Sequence, residues 1–398
     1  MGTLAGKRIA FVSHLDRNLV RFRLPIMKRL VSEGCSVYAV CPAGSAVGRF
    51  AECGVVHIPL PFKRLSFNPL GALRSIQTLR RILIGLQLDI AHSFTLRPNL
   101  YVNLAGALIP GLCLVNSVTG LGTLYINGQG AKLRLLRLIV NAATRIATRM
   151  FARDVVFQNP DDLSYYVTHR LCRHDQVALI AGSGVDPNEF SPNRFDPSVR
   201  FELREAWNIP ASAVVVTMIA RLVTSKGVLE YIETAKRASA EVVFVLIGEP
   251  DAGNPGSLSW AEIESTAAGA PLVLAGRQEN IAEWLHASDI YALPSYREGI
   301  PRTVLEAMAM ALPIATTDVP GCRETVVDGE NGYLVPVQDV AALTAAIQRL
   351  CESESVRRRM GKRSREMITE KFATSLVVEQ HVSLYRKHLH SGEIDDAC

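Results

Sequence analysis

One segment carries the strongest chemical signal in the chain: Leu293-Pro-Ser-Tyr-Arg-Glu298-Gly-Ile-Pro-Arg-Thr-Val-Leu-Glu306-Ala-Met-Ala. Glu298 falls in a loop just after a strand-like run, and Pro301 suits the first turn of the helix that follows, where its missing N–H costs nothing. Glu306 then lies in the early turns of that helix. The N–H groups at a helix start form an anion site, and two carboxylates flanking it can accept hydrogen bonds from hydroxyls. A diphosphate with a sugar on each side matches that layout. The competing reading is an acidic helix N-terminus that complements the dipole. Against it, Glu306 sits among Leu305, Ala307 and Met308, where a solvated face is hard to defend.

A second set, Met218-Ile-Ala-Arg221-Leu-Val-Thr-Ser-Lys226-Gly227, leaves another strand-like run. Arg offers a fork of donors and Lys a point charge, and both can converge on a diphosphate. Gly227 lets the backbone turn into the next helix. Cations so placed would stabilise a departing nucleotide diphosphate without a metal. The alternative is plain surface charge, a reading that loses ground once the Glu298 segment is set beside it. Signatures of other chemistries are missing. Gly120-Leu121-Gly122 lacks the third glycine of a dinucleotide fingerprint, and no Walker A or His-Glu-x-x-His sequence occurs. An NAD dehydrogenase, a P-loop ATPase and a zincin lose support accordingly. No Asp-x-Asp pair is present, so metal-free chemistry and no cofactor are expected.

These residues need elements to hold them. At 398 residues and 48% hydrophobic, the chain exceeds what one core usually organises, and two domains are expected. Short apolar runs at 8–13, 37–41, 89–92, 114–117 and 154–158 alternate with longer amphipathic stretches such as 22–33, the pattern of a parallel sheet with crossover helices. Residues 180–192, rich in Gly, Pro and Ser, read as a linker. The alternation then restarts with runs at 213–219, 242–247, 272–275, 289–293 and 313–316. Ligands of such sheets sit at the carboxyl ends of strands, and two domains facing each other would enclose a cleft. The last stretch, 372–388, reads as a helix that docks back on the first domain.

The Arg221 to Lys226 spacing, Glu298 and Glu306, and Pro320-Gly-Cys-Arg-Glu-Thr-Val-Val-Asp-Gly-Glu-Asn-Gly-Tyr-Leu-Val335 together resemble the retaining glycosyltransferases of the GT4 family, along nearly the whole chain. The resemblance implies a GT-B fold, α/β with two Rossmann-like domains facing across a cleft. It implies that Arg221 and Lys226 bind the donor diphosphate and that Glu298 contacts the sugar hydroxyls. Glu306 would hold the nucleotide ribose, while backbone N–H groups among Gly299, Ile300, Pro301, Arg302 and Thr303 would cradle the β-phosphate. Asn18 is placed among the donor contacts as well. The first domain departs from the family pattern, since His14-Leu-Asp-Arg-Asn-Leu-Val-Arg-Phe-Arg23 contains no glycine and His92-Ser-Phe94 has phenylalanine where many members carry a second histidine. His92 and Arg97 are retained as candidate acceptor contacts. A lone histidine at a strand end is more often structural.

Through His14 to Pro25, Thr95-Leu-Arg-Pro-Asn99 and Val118-Thr-Gly-Leu-Gly122, the first domain resembles a subgroup that builds bacterial surface glycans on polyprenyl-diphosphate carriers. It is similar there to lipid-carrier alpha-N-acetylgalactosaminyltransferases. The charge distribution points independently to anionic partners. Residues 1–160 hold 20 Lys+Arg against 5 Asp+Glu, and residues 161–398 hold 23 against 33, an asymmetry that the net +5 conceals. Attraction between two domain faces is the plainer account. Cationic side chains near an anionic bilayer add about 1 kcal/mol each. Arg74, Arg80 and Arg81 with Ile76, Leu79, Ile82 and Leu83 form a basic amphipathic stretch suited to a membrane surface, and 132–149 forms a second. The competing reading of both is a core-facing helix with a solvated basic side.

The apolar tract 100–118 is interrupted by Asn103, Pro110 and Asn116 and reads as a buried helix followed by a strand, not a membrane span. Lys7 and Arg8 precede only a short apolar run, so export is not expected, and eight cysteines without a Cys-x-x-Cys fit reduced thiols. The expected organisation is an acceptor-binding domain over 1–185, completed by helix 372–390, and a nucleotide-sugar-binding domain over 186–371. The expected activity is retaining transfer of an N-acetylhexosamine or hexose from a UDP-sugar, a substrate and not a cofactor, to an undecaprenyl-diphosphate-linked saccharide. The expected location is cytoplasmic, peripheral on the inner face of the plasma membrane. Alternatives are a nucleotide-sugar hydrolase or epimerase of the same fold, or a non-catalytic basic protein that grips lipid or RNA. Nucleic acid is not an expected partner, because aromatic content is only 7% and no interleaved stacking platform is present.

Overall fold

The computed structural model describes residues 4–62, 69–126 and 130–390. The chain divides into two compact units, one made of the residues up to Ser183 together with those from Ser375 onward, the other of Gly184–Thr374. Unit one contains strands β1 (Arg8–Val12), β2 (Ser36–Cys41), β3 (Val56–Pro59), β4 (Ile90–Phe94), β5 (Cys113–Val118), β6 (Asp154–Phe157) and β7 (Val177–Leu179). Its helices are α1 (Asp16–Ser32), α2 (Gly48–Ala51), α3 (Pro69–Gly85), α4 (Leu96–Gly106), α5 (Ala131–Phe151) and α6 (Pro160–Thr168). Unit two contains β8 (Val214–Ile219), β9 (Val242–Ile247), β10 (Leu272–Gly276), β11 (Ile290–Leu293), β12 (Ile314–Thr317) and β13 (Gly332–Val335). Its helices are α7 (Pro197–Ala206), α8 (Val228–Ala235), α9 (Trp260–Ala267), α10 (Ile281–His286), α11 (Arg302–Ala309), α12 (Val340–Glu352) and α13 (Glu354–Met367). The last helix, α14 (Thr374–His390), returns to unit one.

Every strand pairing is parallel, in the orders β3-β2-β1-β4-β5-β6-β7 and β10-β9-β8-β11-β12-β13. Parallel strands need crossovers, and the crossover helices cover the sheet faces. In unit one the two-residue period of β1 separates the cores. Ile9 and Phe11 face α1 and α14, against Leu19, Met27, Val378 and Tyr385, while Ala10 and Val12 face α3 and α4, against Leu79, Leu83 and Val102. The ten expected strands are present within two residues at each end. Strands β3, β7 and β13 were not expected; they are three or four residues long and lie at or next to a sheet edge.

Helix α1 takes in the amphipathic stretch expected at 22–33, starts earlier at Asp16 and runs through Pro25. The division between the units falls at Ser183 and Gly184, within 180–192, and backbone holds the segment: the Val185 N–H donates to the Phe372 carbonyl at 3.0 Å and the Thr374 N–H to the Val185 carbonyl at 2.9 Å. A Cβ on Gly184, whose φ is +71°, would stand 2.7 Å from the Thr374 Cα, so the close approach requires glycine. Finally, α3 is not a membrane-facing helix along the stretch expected. Leu79 and Leu83 lie in the core, Ile76 and Ile82 pack against it, and Arg80 donates to the carbonyls of Ala105 and Ala107 at 2.9 and 2.7 Å, closing the end of α4.

Helix α14 also determines the state of two histidines. His92 of β4 is fully buried, with Nδ1 2.6 Å from the Tyr385 hydroxyl and Nε2 2.8 Å from the Ser117 hydroxyl. His381, one turn before Tyr385, has Nδ1 2.9 Å from the Val377 carbonyl oxygen. Burial, with the Arg23 guanidinium nearby, holds both rings neutral: His92 falls well below 6.5 and His381 to about 3. Unfolding releases both to ordinary basicity, so below pH 6.5 the unfolded chain takes up protons that the folded chain refuses. Unit one should therefore lose stability progressively as pH drops below 6.5 toward the folded values. Denaturant midpoints across that range should fall in the wild type and flatten in a His92→Gln, His381→Gln double variant. A wild-type midpoint insensitive to pH would refute the burial argument.

Candidate functional site

In unit two the neighbours β8 and β11 send their connections toward opposite edges of the sheet, β8 through α8 to β9 and β11 through α11 to β12. A crevice opens at the carboxyl ends of two such strands. Arg221 and Lys226 follow β8, and Glu298 follows β11, so the two sequence motifs meet at that point. The loops are tied together by backbone. The Tyr296 N–H donates to the Ser225 carbonyl at 2.9 Å, and Ser295 Oγ lies 3.1 Å from the same oxygen. Gly227 has a φ of +74°, and a Cβ there would stand 2.1 Å from the Pro294 carbonyl oxygen. Glycine lets the loops approach this closely.

Lys226 and Glu298 are paired directly, Nζ on Oε1, with both side chains mostly shielded from solvent. The Ser295 hydroxyl donates to the same Oε1 at 2.7 Å, and the Glu298 N–H donates to the Pro320 carbonyl at 3.0 Å. Arg221 does not converge with Lys226. Its side chain is 53% exposed and its guanidinium pairs with Asp251, in the loop after β9. Both cations thus end on carboxylates, which a diphosphate would have to displace, while Glu298 released from Lys226 would be free to accept from hydroxyls.

Helix α11 starts beside this pair, with Pro301 at its N-cap. The N–H groups of Arg302 and Thr303 lie in its first turn, ahead of any internal carbonyl. Gly299, Ile300 and Pro301 are buried, which fixes the approach of the chain to the helix. Glu306 is buried one turn on, where its Oε1 accepts from Arg302 Nε at 2.9 Å. Below the site the Tyr291 hydroxyl donates to the Ile219 carbonyl at 3.2 Å; burial, joined by the Glu306 and Glu298 charges, pushes it well above its ordinary range and keeps it neutral. The Cys322 thiol is pushed up to about 12 by burial and by Glu298, so it is not a nucleophile. Among the described residues no three His, Cys, Asp or Glu side chains gather as metal ligands.

The Pro320 to Val335 motif has a structural part that its residue types did not reveal. Gly321, at φ +85°, would place a Cβ 2.4 Å from the Gly299 carbonyl oxygen, and its N–H donates to Glu324 Oε2 at 2.7 Å. Pro320 and Gly321 therefore hold Glu298 and Gly299 by backbone contact. Asn331 locks the rest of the turn, accepting from the Val327 N–H at 2.8 Å and donating to the Thr325 carbonyl at 3.0 Å.

Unit one has an equivalent switch point between β1 and β4. Half-buried Asn18 lies near the start of α1, and Arg97 lies in the first turn of α4. His14 and Thr95 stand at the same ends, with His14 Nδ1 3.3 Å from Thr95 Oγ1. Thr95 has a φ of +75°, which is strained for a β-branched residue, and such strain concentrates at functional sites. His14 and Thr95 open two of the motifs that carry the subgroup resemblance but are not marked there as site residues, because nothing in a residue type announces its backbone angle. His92 is corrected: both ring nitrogens are engaged inside the core, and the ring is closed to any acceptor in this conformation.

The profile of the family described as glycosyl transferases group 1 matches residues 199–367. The chain is 30% identical, over 95% of its length and 98% of the relative's, to the N,N'-diacetylbacillosaminyl-diphospho-undecaprenol alpha-1,3-N-acetylgalactosaminyltransferase of Campylobacter jejuni. It is 23% identical, over 92% of both chains, to the UDP-Gal:alpha-D-GlcNAc-diphosphoundecaprenol alpha-1,3-galactosyltransferase of Escherichia coli. Anabaena HepE, crystallised with UDP and glucose, superposes with a TM-score of 0.79 at 18% identity, covering 94% of this chain and 98% of that one. That last likeness is one of fold.

A Gly321→Ala substitution drives a methyl group into the Gly299 carbonyl and displaces the backbone that carries Glu298. Binding of UDP, followed by calorimetric titration, should weaken by about tenfold. Unchanged affinity would separate the Pro320–Gly321 buttress from the site.

Proposed function

The chain belongs to the group 1 glycosyl transferases, and from that premise we propose that it moves an N-acetylhexosamine or hexose from a UDP-sugar to an undecaprenyl-diphosphate-linked saccharide, with retention of configuration. The observation that carries the reading is the Lys226–Glu298 pair, held at the crevice between β8 and β11 beside the start of α11. It sets a cation for a diphosphate next to a carboxylate for hydroxyls. The named activities of the Campylobacter and Escherichia relatives support a polyprenyl-diphosphate acceptor, in line with the basic balance of residues 1–160. On this reading the protein works peripherally at the inner face of the plasma membrane, as part of bacterial surface glycan assembly.

In the proposed reaction the bond from the sugar's anomeric carbon to the β-phosphate oxygen breaks as the acceptor oxygen forms its bond on the same face. The departing phosphate takes the acceptor's proton, so no protein base is needed. Lys226 and Arg221 leave their carboxylates for the diphosphate and stabilise the charge that develops there. The first-turn N–H groups of Arg302 and Thr303 add partial positive charge to the β-phosphate. Glu298 accepts from the sugar hydroxyls and Glu306 from the ribose. No metal ion is assigned a part, because Arg221 and Lys226 supply the counter-charge.

Purified protein incubated with a panel of UDP- and GDP-sugars and a detergent-solubilised polyprenyl-diphosphate glycan should release UDP only when the acceptor is present. Release should vanish in Glu298→Ala. Lys226→Ala should lose roughly 100-fold or more in kcat at a melting temperature close to wild type, with partial recovery in Lys226→Arg. Full turnover in Lys226→Ala would sink its assigned role. UDP release at the same rate without acceptor would instead identify a hydrolase-like or epimerase-like reaction.

A further inference from the structure

Helix α5 has its amphipathicity reversed. The side turned into unit one carries small and polar residues: Asn141, Thr144, Ala147 and Thr148 are buried. Asn141 accepts from the Tyr125 hydroxyl at 2.8 Å and donates to the Tyr165 hydroxyl at 2.9 Å, so the inward polar groups have partners. The outward side carries Leu135, Leu138, Ile139, Ile146 and Met150, each 58–67% exposed. Their spacing places them in one stripe along the helix. Helix α4, which packs against α5, carries exposed Leu104, and the turn after it carries exposed Leu108. A contiguous apolar stripe in water marks an interaction surface.

Charge identifies what covers it. From Ala131 to Phe151 there is no Asp or Glu, while Lys132, Arg134 and Arg145 are exposed around the stripe. A second copy of this chain seated on the same face by two-fold symmetry would set cations against cations. An anionic bilayer meets both requirements, because acyl chains take the leucines and phosphate headgroups take cations whose stems can snorkel. Among the described residues no helix is long and apolar enough to cross a membrane, which fits a helix lying in the interface plane.

We infer that the outward face of α5 seats unit one in the headgroup region of an anionic lipid bilayer. The inference deepens the proposed activity and rests on it for its purpose, since a lipid-linked acceptor is reached from that surface. Vesicle binding itself does not depend on turnover. The full chain should float with phosphatidylglycerol-containing vesicles and not with pure phosphatidylcholine vesicles. A Leu138→Gln, Ile146→Gln variant and a Lys132→Gln, Arg134→Gln variant should each lose about tenfold or more in vesicle partitioning at an unchanged melting temperature. Turnover of a short-chain acceptor in detergent should stay at the wild-type rate in both variants, while turnover of a vesicle-embedded acceptor falls with partitioning. Wild-type protein that fails to float, or variants that float as well as wild type, would overturn the inference, as would a wild-type dimer in sedimentation that the leucine variant dissociates. Absent turnover with every acceptor, alongside variant-sensitive floating, would sink the transferase reading and leave this inference standing.

Discussion

Two parallel strands cannot be joined by a tight turn, and most of this molecule follows from that constraint. Each strand must send the chain over a sheet face and back to the same end before its neighbour can begin. At β8 and β11 the returning chains travel in opposite directions, so two loops leave adjacent strand ends and diverge. Residues separated by more than seventy positions, Lys226 and Glu298, come into contact there. The same geometry at β1 and β4 brings His14 to Thr95. The backbone at both places is held in conformations that cost free energy elsewhere, by glycine at 227 and 321 and by a strained threonine at 95.

The pairing of Lys226 with Glu298 has an electrostatic logic. Each group alone, partly shielded from water, would carry a desolvation cost, and together they offset it. A substrate bearing both a diphosphate and hydroxyls offers each partner a replacement of the right kind. Exchange then costs little, while a ligand with only one of those features leaves a charge stranded. Ser295 and the Pro320 carbonyl keep Glu298 in position through the exchange, so that the carboxylate stays while the cations move.

The sequence is most legible where function is local. Glu298, Pro301 and Glu306 lie within one loop and one helix, and their arrangement can be read from spacing alone. Central strands such as β4 and β12 are buried throughout and appear as apolar runs, whereas β3, half exposed and beside β2 at the sheet margin, leaves almost no pattern. Periodicity could not say which side of a helix faces inward. Helices α3 and α5 both read as basic amphipathic stretches, yet α3 buries Leu79 and Leu83 of its expected stripe, whereas α5 exposes Leu135 and Leu138. The difference lies in the partners of the inward side: Tyr125 and Tyr165, on either side of α5 in the sequence, supply hydroxyls for Asn141, and helical periodicity does not announce that pairing. The sequence leaves His92 open between an acceptor contact and a structural role, since the Tyr385 that engages it arrives almost three hundred positions later.

That separation sets an order of events during synthesis. Domains usually form as they leave the ribosome, amino-terminal first. Here the first-made unit lacks Val378, Val382 and Tyr385 until α14 is made, so the face of β1 and β4 that α1 covers in part stays incomplete while unit two is being translated. The second unit can close first, and the first is sealed last. The nascent chain therefore carries exposed apolar surface while unit two is made, and emergence of α14, not of the first strands, is the step that ends that exposure to aggregation.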